Sequence, residues 1–576
     1  MSLTGGDAVA VLPVPSAEQI IQLSDAGNLA AELAEYHLPA EDGSDTFLQR
    51  CVALHNNGDI DLVAVPGQPA FDAIDTHSFF TAQQFYCNAI PQLRTNAAAL
   101  MACCRILIER AGNDGVAHMP NGAFRQWCKG NPEDAAGVIR EAKAGNDLAM
   151  HFVTFALQGA NDVETAIEFV REYNDNRRLY GLSALGQMTF ADSDSTQHAI
   201  AAVEPFIASN NDDAVRVTAL SAAFDILQPL EDTALARRLV QAAAQSSGPQ
   251  VLYGLARLLF QPHSSLDMET VGIALNALRA ADAEHKGTIR LVDSGLQHMV
   301  GTPNESQALD YLTEMLREET LTIEQFHSTV RKLNTDNPQR VYELVVRWLL
   351  SGSIALASSA GQFVRAGKER VFNTSAQSLD LSPDQQLFLC RKAMGFLFVH
   401  PIACCSILVS VIRAADEDVR AQVGQFLFDP ILLSYGGGAR DYLASLPSTD
   451  AAYDTVQNVL ARFGEFYSAI DAIGSIKELH PSERQLDTTH QRSHDQMREA
   501  HKEAENQSIL RKLMHHSTIL HGKRTLTYVA DPGGQKRALA MDLQKHSAYI
   551  ELPHLEKLDP VGLDYLRRMC MVEKPA

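Results

Sequence analysis

The sequence predicts an all-α fold in which helix pairs stack as in a solenoid, followed by a small C-terminal module that contains a β-hairpin. Three observations carry this prediction. Helix-like segments recur at a nearly constant spacing between residues 173 and 300. Long alternating runs of Val, Ile and Thr are nearly absent from the chain. The one convincing alternating segment, followed by turn residues, lies close to the C-terminus.

The repeats are clearest where four segments align on Leu182, Leu220, Leu255 and Val292. Subtracting successive numbers gives steps of 38, 35 and 37 residues. A helix pair of this length cannot cover its own apolar face, so each pair is stabilised by stacking on the next. The spacing therefore predicts a continuous helical stack through this part of the chain. An irregular helical domain without true repeats is the alternative.

Second helices are predicted between the aligned segments, because apolar residues recur there three and four positions apart. The three ranges are Ala199–Ala208, Leu235–Ala244 and Glu269–Ala281. The small residues of the aligned helices are expected to let neighbouring helices approach closely; they are Gly181, Ala219 and Gly254. This pattern resembles the HEAT-like and armadillo-like repeat families. The resemblance implies a surface that binds other proteins rather than one that carries out a reaction.

Four regions follow from this pattern. They are an N-terminal helical cap with irregular loops at residues 1–79, a solenoid-like region at 80–475, a polar linker helix at 476–517, and a small α/β module at 518–576. A chain of 576 residues is too long for one compact core, whereas stacked repeats escape that limit because each packs only on its neighbours. In the cap, the short apolar run Ile60–Val65 is expected to be an extended loop, since a lone strand is rarely stable.

One uncharged segment, Ala393–Ile412, is long enough to cross a bilayer. His400 and Pro401 lie in its middle, and the residue before a proline is disfavoured in a helix. The sequence therefore favours two buried helices joined at this dipeptide. A membrane span is the alternative.

The composition changes after Pro481. Residues 482–516 are polar and rich in helix formers, which predicts one long linker helix. Arg524–Ala530 alternates polar and apolar residues and precedes turn residues, so it is predicted to be a strand. Its candidate partner strands are Lys536–Leu543 and Ser547–Leu552. A final helix is predicted to begin with Asp559 as its N-cap and Pro560 as its first residue.

The charge is distributed unevenly along the chain. The sequence contains 48 Lys and Arg against 70 Asp and Glu, a net charge of −22. From Ile476 to the end there are 16 basic and 14 acidic residues, so the rest of the chain holds 32 basic and 56 acidic residues. The acidic part repels polyanions, whereas the C-terminal part is mildly basic and holds nine of the 20 histidines. The two parts are therefore expected to differ in function.

The nine cysteines form no CxxC motif and no regular spacing. Two adjacent pairs lie in apolar, helix-like segments. Cysteines in this setting are expected to be small buried residues in a reducing compartment, which favours a cytoplasmic protein. The N-terminal residues lack the basic-then-apolar order of a signal peptide.

The candidate binding site is the densest basic cluster of the sequence, chosen for its charge density. It consists of Arg511, Lys512, His515, His516, Lys523 and Arg524. Basic residues near an aromatic side chain can bind nucleic acid. An acidic protein partner, or the chain's own acidic helices, would fit the same charges, and so would an ordinary solvated surface.

Three other patterns give weaker indications of chemistry. His490, His494 and His501 would share one helix face and could bind a divalent metal, although no HExxH motif is present and a solvated polar helix has the same pattern. Gly436–Gly438 precedes a helix as in some phosphate sites, but no Lys-Ser or Lys-Thr follows it. No Gly-x-Ser-x-Gly motif for a nucleophile occurs. The sequence therefore predicts no catalytic residue, metal or cofactor.

These observations favour a non-catalytic scaffold or adaptor that binds a protein partner on its solenoid surface. The C-terminal module would supply a second contact or regulate the first. The alternative is a component of a nucleic-acid-dependent or metal-dependent enzyme system that acts through the His- and Arg-rich C-terminal region. No membrane partner is expected, and the oligomeric state is left open.

Overall fold

The structure is a computed structural model. It describes residues 14–35, 46–112, 118–172, 174–208, 212–228, 230–245, 248–261, 266–365, 371–372, 380–474, 482–507, 516–521, 524–530, 536–542 and 551–575. The chain divides into two units, Met1–Tyr311 and Leu312–Ala576. The described residues are predominantly helical, which agrees with the predicted helical fold.

The helices of the first unit, together with the one that contains the boundary, are numbered in chain order. They are α1 (Ala17–Asp25), α2 (Leu29–Ala34), α3 (Thr46–Asn57), α4 (Pro69–Asp72), α5 (Thr76–Ala89), α6 (Ala97–Ala111), α7 (Met119–Gly130), α8 (Pro132–Lys143), α9 (Asp147–Ala160), α10 (Val163–Arg171), α11 (Asp175–Leu185), α12 (Ser193–Val203), α13 (Pro205–Ala208), α14 (Asp213–Leu227), α15 (Thr233–Ala243), α16 (Pro249–Phe260), α17 (Met268–Ala277), α18 (Lys286–Met299) and α19 (Glu305–Arg317). Short 3₁₀ turns occur at Val65–Gly67, Ile90–Gln92 and Leu278–Ala280.

The second unit continues with eleven further helices among its described residues. They are α20 (His327–Asp336), α21 (Pro338–Leu350), α22 (Ile354–Arg365), α23 (Pro383–Phe396), α24 (Pro401–Ala414), α25 (Glu417–Phe426), α26 (Gly438–Ala444), α27 (Tyr453–Ile473), α28 (Glu483–Gln507), α29 (Leu555–Leu558) and α30 (Pro560–Val572). A 3₁₀ turn at Ile323–Phe326 precedes α20, and a wider helical segment, Leu427–Leu432, follows α25. Three strands precede α29: β1 (His516–His521), β2 (Arg524–Ala530) and β3 (Lys536–Asp542).

The helices of the first unit begin where polar residues interrupt the apolar periodicity. Asn and Asp side chains at these positions accept hydrogen bonds from the free N–H groups of the first helical turn. The capping residues are Asn96, Asn146, Asp162, Asn174, Asp192, Asp232 and Asp267. Local sequence chemistry therefore sets the starts of most repeat helices.

The helices of the first unit pack in two parallel series. In the first series α7, α9, α11, α14, α16 and α18 each contact the next, and in the second α10, α12, α13, α15 and α17 do the same. The four aligned residues Leu182, Leu220, Leu255 and Val292 lie on α11, α14, α16 and α18, and each is at most 1% exposed. Each helix pair thus buries its apolar face against the following pair, as the spacing predicts.

Polar side-chain contacts connect helices of the second series to one another and to α8. Ion pairs join Lys143 of α8 to Glu168, Glu204 to Arg238, and Arg237 to Asp267 and Glu269; His198 lies 3.9 Å from Glu164. Exposed pairs of this kind contribute little individually. Similar contacts therefore recur along this series.

The close approach of α10 and α11 depends on Gly181. A Cβ atom at this position would lie 2.7 Å from the carbonyl oxygen of Ala166 and 2.8 Å from the backbone nitrogen of Val170. Backbone atoms cannot move aside as the end of a flexible side chain can. The prediction that Gly181 permits close helix packing is confirmed by this geometry.

Gly181→Ala is expected to lower the free energy of unfolding by about 1–3 kcal/mol, because the new methyl group overlaps the backbone of α10. Gly122→Ala is the matched control. Gly122 is also helical, but nothing lies within 4 Å of its added Cβ, so this change should stabilise by about 0.5–1 kcal/mol. Urea unfolding followed by circular dichroism measures both. Equal effects of the two substitutions would contradict the close contact.

The carboxylate of Asp267 combines a helix cap with an ion pair. It accepts hydrogen bonds from the Thr270 N–H at 2.8 Å and the Thr270 hydroxyl at 2.6 Å, and it pairs with Arg237. The bonds from Thr270, followed by the contact with Arg237, lower the pKa of Asp267 to about 2. The folded state therefore favours the ionised carboxylate.

The stabilisation from Asp267 is expected to be complete above about pH 4, its ordinary pKa range, and to be lost as the pH falls towards 2. Asp267→Asn should lower stability at neutral pH and make the loss between pH 4 and pH 2 less steep. Urea unfolding at a series of pH values measures this. Glu269→Gln changes the net charge equally but leaves the cap in place, so it should keep the wild-type steepness. If Asp267→Asn also kept the wild-type steepness, Asp267 would not be a cause of the loss of stability between pH 4 and pH 2.

In the second unit, α23 ends at Phe396 and α24 begins at Pro401, so the uncharged segment forms two helices separated at His400–Pro401. This confirms the preferred interpretation of that segment. Eleven residues of α24 are buried, which explains its apolar character without a bilayer. Among the described residues, no helix combines the length and apolar character required to cross a membrane.

The three strands form an antiparallel sheet in the order β1-β2-β3. Its β2 has the bounds expected for the alternating segment, and β3 covers most of its expected partner. On the other side, β2 pairs with β1, a segment for which no strand was predicted. The other expected partner, Ser547–Leu552, lies outside the described residues up to residue 550, and residues 551–552 have no regular structure.

Candidate protein-interaction surface

The structure describes only two members of the predicted basic cluster. Arg511, Lys512, His515 and Lys523 lie outside the described residues. His516 begins β1 opposite Val529, whereas Arg524 begins β2 opposite His521. The two described members are therefore at opposite ends of the β1–β2 ladder, about 17 Å apart along the strands.

The predicted histidine face lies on α28, which extends from Glu483 to Gln507. His490 and His494 are exposed, and the His494 Nδ1 lies 4.0 Å from the Asp495 Oδ1. Within the described part of the chain, no group of three His, Cys, Asp or Glu residues has the arrangement needed to hold a metal ion.

The glycine segment before α26 binds an anion, and that anion belongs to the chain itself. The Gly437 N–H donates to Glu551 Oε1 at 2.7 Å, and the Gly438 N–H donates to Glu551 Oε2 at 3.0 Å. A carboxylate thus fills the position that the sequence suggested for a phosphate. Through these two hydrogen bonds, Glu551 attaches the start of the C-terminal segment, residues 551–575, to the rest of the second unit.

The end of the C-terminal segment is fixed by two cations of α23. The Arg391 guanidinium donates to both carboxylate oxygens of Glu573 at 2.8 Å, and the Lys392 Nζ donates to the Met571 carbonyl oxygen at 2.6 Å. Both acceptors lie at the carboxyl end of α30, where the helix dipole favours positive charge. Burial lowers the pKa of Lys392, which is 1% exposed, and the nearby Glu573 opposes that shift.

An apolar face of α30 packs against α23 between these polar contacts. Leu563 is 7% exposed and Cys570 is 6% exposed. The Arg567 guanidinium lies over the ring of Phe398, 5.3 Å from its centroid. The C-terminal helix therefore binds the second unit as an amphipathic peptide would, with an apolar face and polar contacts at both ends.

A different surface, on the first unit, remains open to solvent. It is formed by side chains of α16 and α18, two adjacent helices of the first series, and we call it the α16–α18 surface: Tyr253, Arg257, Phe260, Arg290 and His298. Tyr253, Arg257 and Phe260 are separated by four and three positions, so they share one face of α16. The opposite face of α16 is buried in the stack.

Contacts between the two helices place these residues together. A Cβ atom at Gly287, near the start of α18, would lie 3.5 Å from the Tyr253 ring. The rings of Phe260 and His298 stack with centroids 6.0 Å apart and an angle of 25° between planes. The two helices thus run in the same direction, and the surface spans about two helical turns.

The exposure of the aromatic side chains is unusual for a helix in a stack. Tyr253 is 46% exposed and Phe260 is 36% exposed, and Arg257, Arg290 and His298 are also exposed. Exposed aromatic residues beside arginine are the composition that most often carries binding energy at protein interfaces. The surface offers ring faces for apolar contact and guanidinium groups for carboxylates.

Among the described residues, no carboxylate forms an ion pair with an arginine of this surface. The described ion pairs involve other arginines, such as Arg177, Arg178 and Arg238, and include neither Arg257 nor Arg290. The described hydrogen bond of Arg257 goes to the neutral side chain of Gln261, at 3.4 Å.

Acidic residues are also scarce on these two helices. Together α16 and α18 contain three basic residues and one acidic residue, Asp293, which is 6% exposed. Asp282 and Glu284 lie in the preceding loop, where Asp282 pairs with His285. In a chain of net charge −22, the exposed side chains of this surface are locally positive.

The sequence predicts the helices that carry these residues. It does not predict that their side chains form one exposed surface. The available signal is that Tyr253, Arg257 and Phe260 fall outside the buried positions of α16, which include Leu252 and Leu255. A helical projection separates the two faces. Only the packing of α18 on α16 brings Arg290 and His298 to the same place.

The chain matches no protein-family model, and no curated protein matches it.

Proposed function

We propose that the protein is a non-catalytic scaffold that binds an acidic segment of a protein partner on the α16–α18 surface. The observation that carries this proposal is the pairing of exposed aromatic rings with arginines that have no carboxylate partner among the described residues. Carboxylates of the partner would pair with Arg257 and Arg290, and its apolar side chains would cover Tyr253 and Phe260. The resemblance to HEAT-like and armadillo-like repeats supports the same class of function.

The C-terminal contacts support a scaffold as well. The second unit binds the chain's own residues 551–575 through an apolar face, an ion pair and backbone groups. The helices of this protein thus already bind one peptide-like segment, which is consistent with the binding of a segment from another protein. In this proposal the β-containing C-terminal module provides a second contact.

A nucleic-acid partner is the competing proposal, and charge argues against it. Binding of a duplex relies on several phosphate contacts, each supplied by Lys or Arg. The α16–α18 surface presents two arginines within a chain of net charge −22, which repels a polyanion. A short acidic segment needs only a few carboxylates and suffers less repulsion than a duplex.

The proposal is tested by titrating the full chain with a short fluorescent peptide of alternating Glu and Phe, followed by anisotropy. Charge reversal by Arg257→Glu with Arg290→Glu is expected to weaken binding about 100-fold, because each lost charge pair is replaced by a repulsive one. Tyr253→Ala should weaken binding about tenfold through lost apolar contact.

The matched control reverses two exposed charges elsewhere on the first unit, Arg105→Glu with Lys129→Glu. It changes the net charge by the same amount and should leave the affinity within about threefold of wild type. An equal loss in both double variants would mean that only overall charge matters, and the proposed surface would be excluded. Tight binding of a DNA duplex that depends on Arg257 and Arg290 would instead favour the nucleic-acid alternative.

A further inference from the structure

The C-terminal segment is held at both of its ends by residues that lie far from it in the chain. We call these residues the docking site: Arg391, Lys392, Gly395, Phe398, Gly437 and Gly438. The hydrogen bonds between the docking site and the segment join residues 113 to 182 positions apart. Recognition of the segment therefore depends on its chemistry and not on its neighbours in the sequence.

The docking site is specific in shape as well as in charge. A Cβ atom at Gly395 would lie 3.1 Å from the backbone nitrogen of Met571 and 3.3 Å from the carbonyl carbon of Cys570. The Arg391 guanidinium binds both carboxylate oxygens of Glu573, and such a bidentate pair fixes the position of the acid. The site thus fits a helix that passes close to α23 and is followed by a carboxylate.

The connection between α27 and the segment is long and polar. Residues 475–550, 76 in number, lie between Gly474 and Glu551. They include α28, a helix about 37 Å long whose described side chains are all exposed to solvent. A helix that is polar on all sides bridges parts of a protein and is not held against a core. The connection is therefore long enough for the segment to reach the docking site of another copy.

We propose that two copies of the chain exchange their C-terminal segments, so that the segment of each copy occupies the docking site of the other. A second copy is the occupant because the structure shows this segment in the site, and every copy carries the same segment. Exchange preserves each docking contact and gives up only the tether within one copy. This inference does not depend on the α16–α18 surface.

The tether determines the concentration at which exchange occurs. It keeps the segment near its own docking site at an effective concentration on the order of 1 mM or below, because the connection is long. Light scattering of the unmodified full chain is therefore expected to show a mass that rises above 63.0 kDa as the concentration approaches about 1 mM. Leu563→Asp disrupts docking within and between copies, so it should abolish this rise.

Two full-chain variants with complementary charges give a sharper test. One carries Arg391→Glu and the other carries Glu573→Arg. Each variant alone places like charges in its own docking contact, which is expected to raise the alkylation rate of Cys570 about tenfold. In an equal mixture, each segment meets the opposite charge only on the other variant. Sedimentation velocity should then show a dimer of twice 63.0 kDa, and the alkylation rate should return to within about threefold of the unmodified chain.

Two controls separate exchange from a general effect of charge. The double variant Arg391→Glu with Glu573→Arg restores opposite charges within one copy, so it should have slow alkylation and not require a partner. A mixture of Asp564→Arg with Arg568→Glu reverses the same two charges on side chains of α30 that are 61% and 74% exposed. Its members should keep slow alkylation whether mixed or separate, and mixing should form no dimer.

Three results would overturn the exchange. They are a complementary mixture that stays monomeric, a dimer in either docking variant alone, and a dimer in the mixture of the α30 surface variants. A synthetic peptide of residues 551–575 identifies the other occupant that the site could take. If Glu573→Arg binds this peptide while the complementary mixture stays monomeric, the docking site accepts a separate peptide but not the segment of a second copy, and the proposal is wrong.

Discussion

Replacement of Leu563 by aspartate is expected to release α30 from α23 and to raise the alkylation rate of Cys570 roughly 100-fold. Leu563 is 7% exposed in the contact with the second unit. An uncompensated carboxylate buried there costs about 3 kcal/mol or more, and each 1.4 kcal/mol changes the population of the released state about tenfold. The effect is large because the buried face of α30 consists of only Leu563 and Cys570.

The alkylation rate of the Cys570 thiol measures the release of α30 from α23 for two reasons. It is 6% exposed while α30 is docked, so the reagent has little access. Burial, together with the nearby Glu573 carboxylate, raises its pKa to about 11, so few molecules carry the reactive thiolate. When the helix leaves α23, the thiol becomes accessible and the contribution of burial to its pKa is lost.

Peptide mass spectrometry after brief alkylation measures this rate, with the partly exposed Cys87 as the reference within the same chain. Val561→Asp adds the same charge to the outward face of the same helix, where 79% of the residue is exposed, and should leave the rate unchanged. Fast labelling of Cys570 in the unmodified chain would show that the docked arrangement is not the prevalent one.

Trp127→Ala is expected to lower the free energy of unfolding by about 3–5 kcal/mol, the largest stability effect that we predict. The side chain of Trp127 is fully buried, and its ring stacks on Phe124 with centroids 5.9 Å apart. Its Nε1–H donates to the Leu93 carbonyl oxygen at 2.9 Å. The substitution leaves a cavity and an unsatisfied acceptor.

Urea unfolding followed by circular dichroism measures this loss. Trp127→Phe is the comparison, because it keeps the ring contact and loses the hydrogen bond, so it should cost only about 1–2 kcal/mol. Near-equal stability of Trp127→Ala and the unmodified chain would contradict the packing described for α7.

The sequence predicts the helical repeats because their signals are local. The spacing of Leu182, Leu220 and Leu255 reflects one buried position in each pair, and capping residues such as Asn174 and Asp232 mark the starts of many helices. Gly181 is recognisable for the same reason, since only the smallest side chain fits a backbone contact. His400–Pro401 likewise separates two helices through the local restriction that proline imposes.

The sequence does not predict the docking of the C-terminal segment, because that contact joins residues that are far apart in the chain. The Gly437 N–H bonds Glu551 across a separation of 114 residues. No periodic pattern links a carboxylate to two glycine amides at such a distance. The Glu551 carboxylate and the two glycine N–H groups come together only in the folded second unit.

The residues of the α16–α18 surface fit the helical spacing of the sequence. From sequence alone, however, an apolar residue on a helix is ordinarily assigned to the core. Tyr253 and Phe260 become distinguishable only when the buried face of α16 is known. Charge density, the criterion that selected the basic cluster, favours residues that are close in sequence and overlooks Arg257 and Arg290.

The most direct test of the protein-binding account is a comparison of two peptides that differ only in charge, one of alternating Glu and Phe and one of alternating Lys and Phe. A chain of net charge −22 should prefer the basic peptide if overall charge decides binding. The account predicts that the unmodified chain prefers the acidic peptide and that Arg257→Glu with Arg290→Glu reverses this preference. A preference for the basic peptide in the unmodified chain, or the same preference in both chains, would contradict the account.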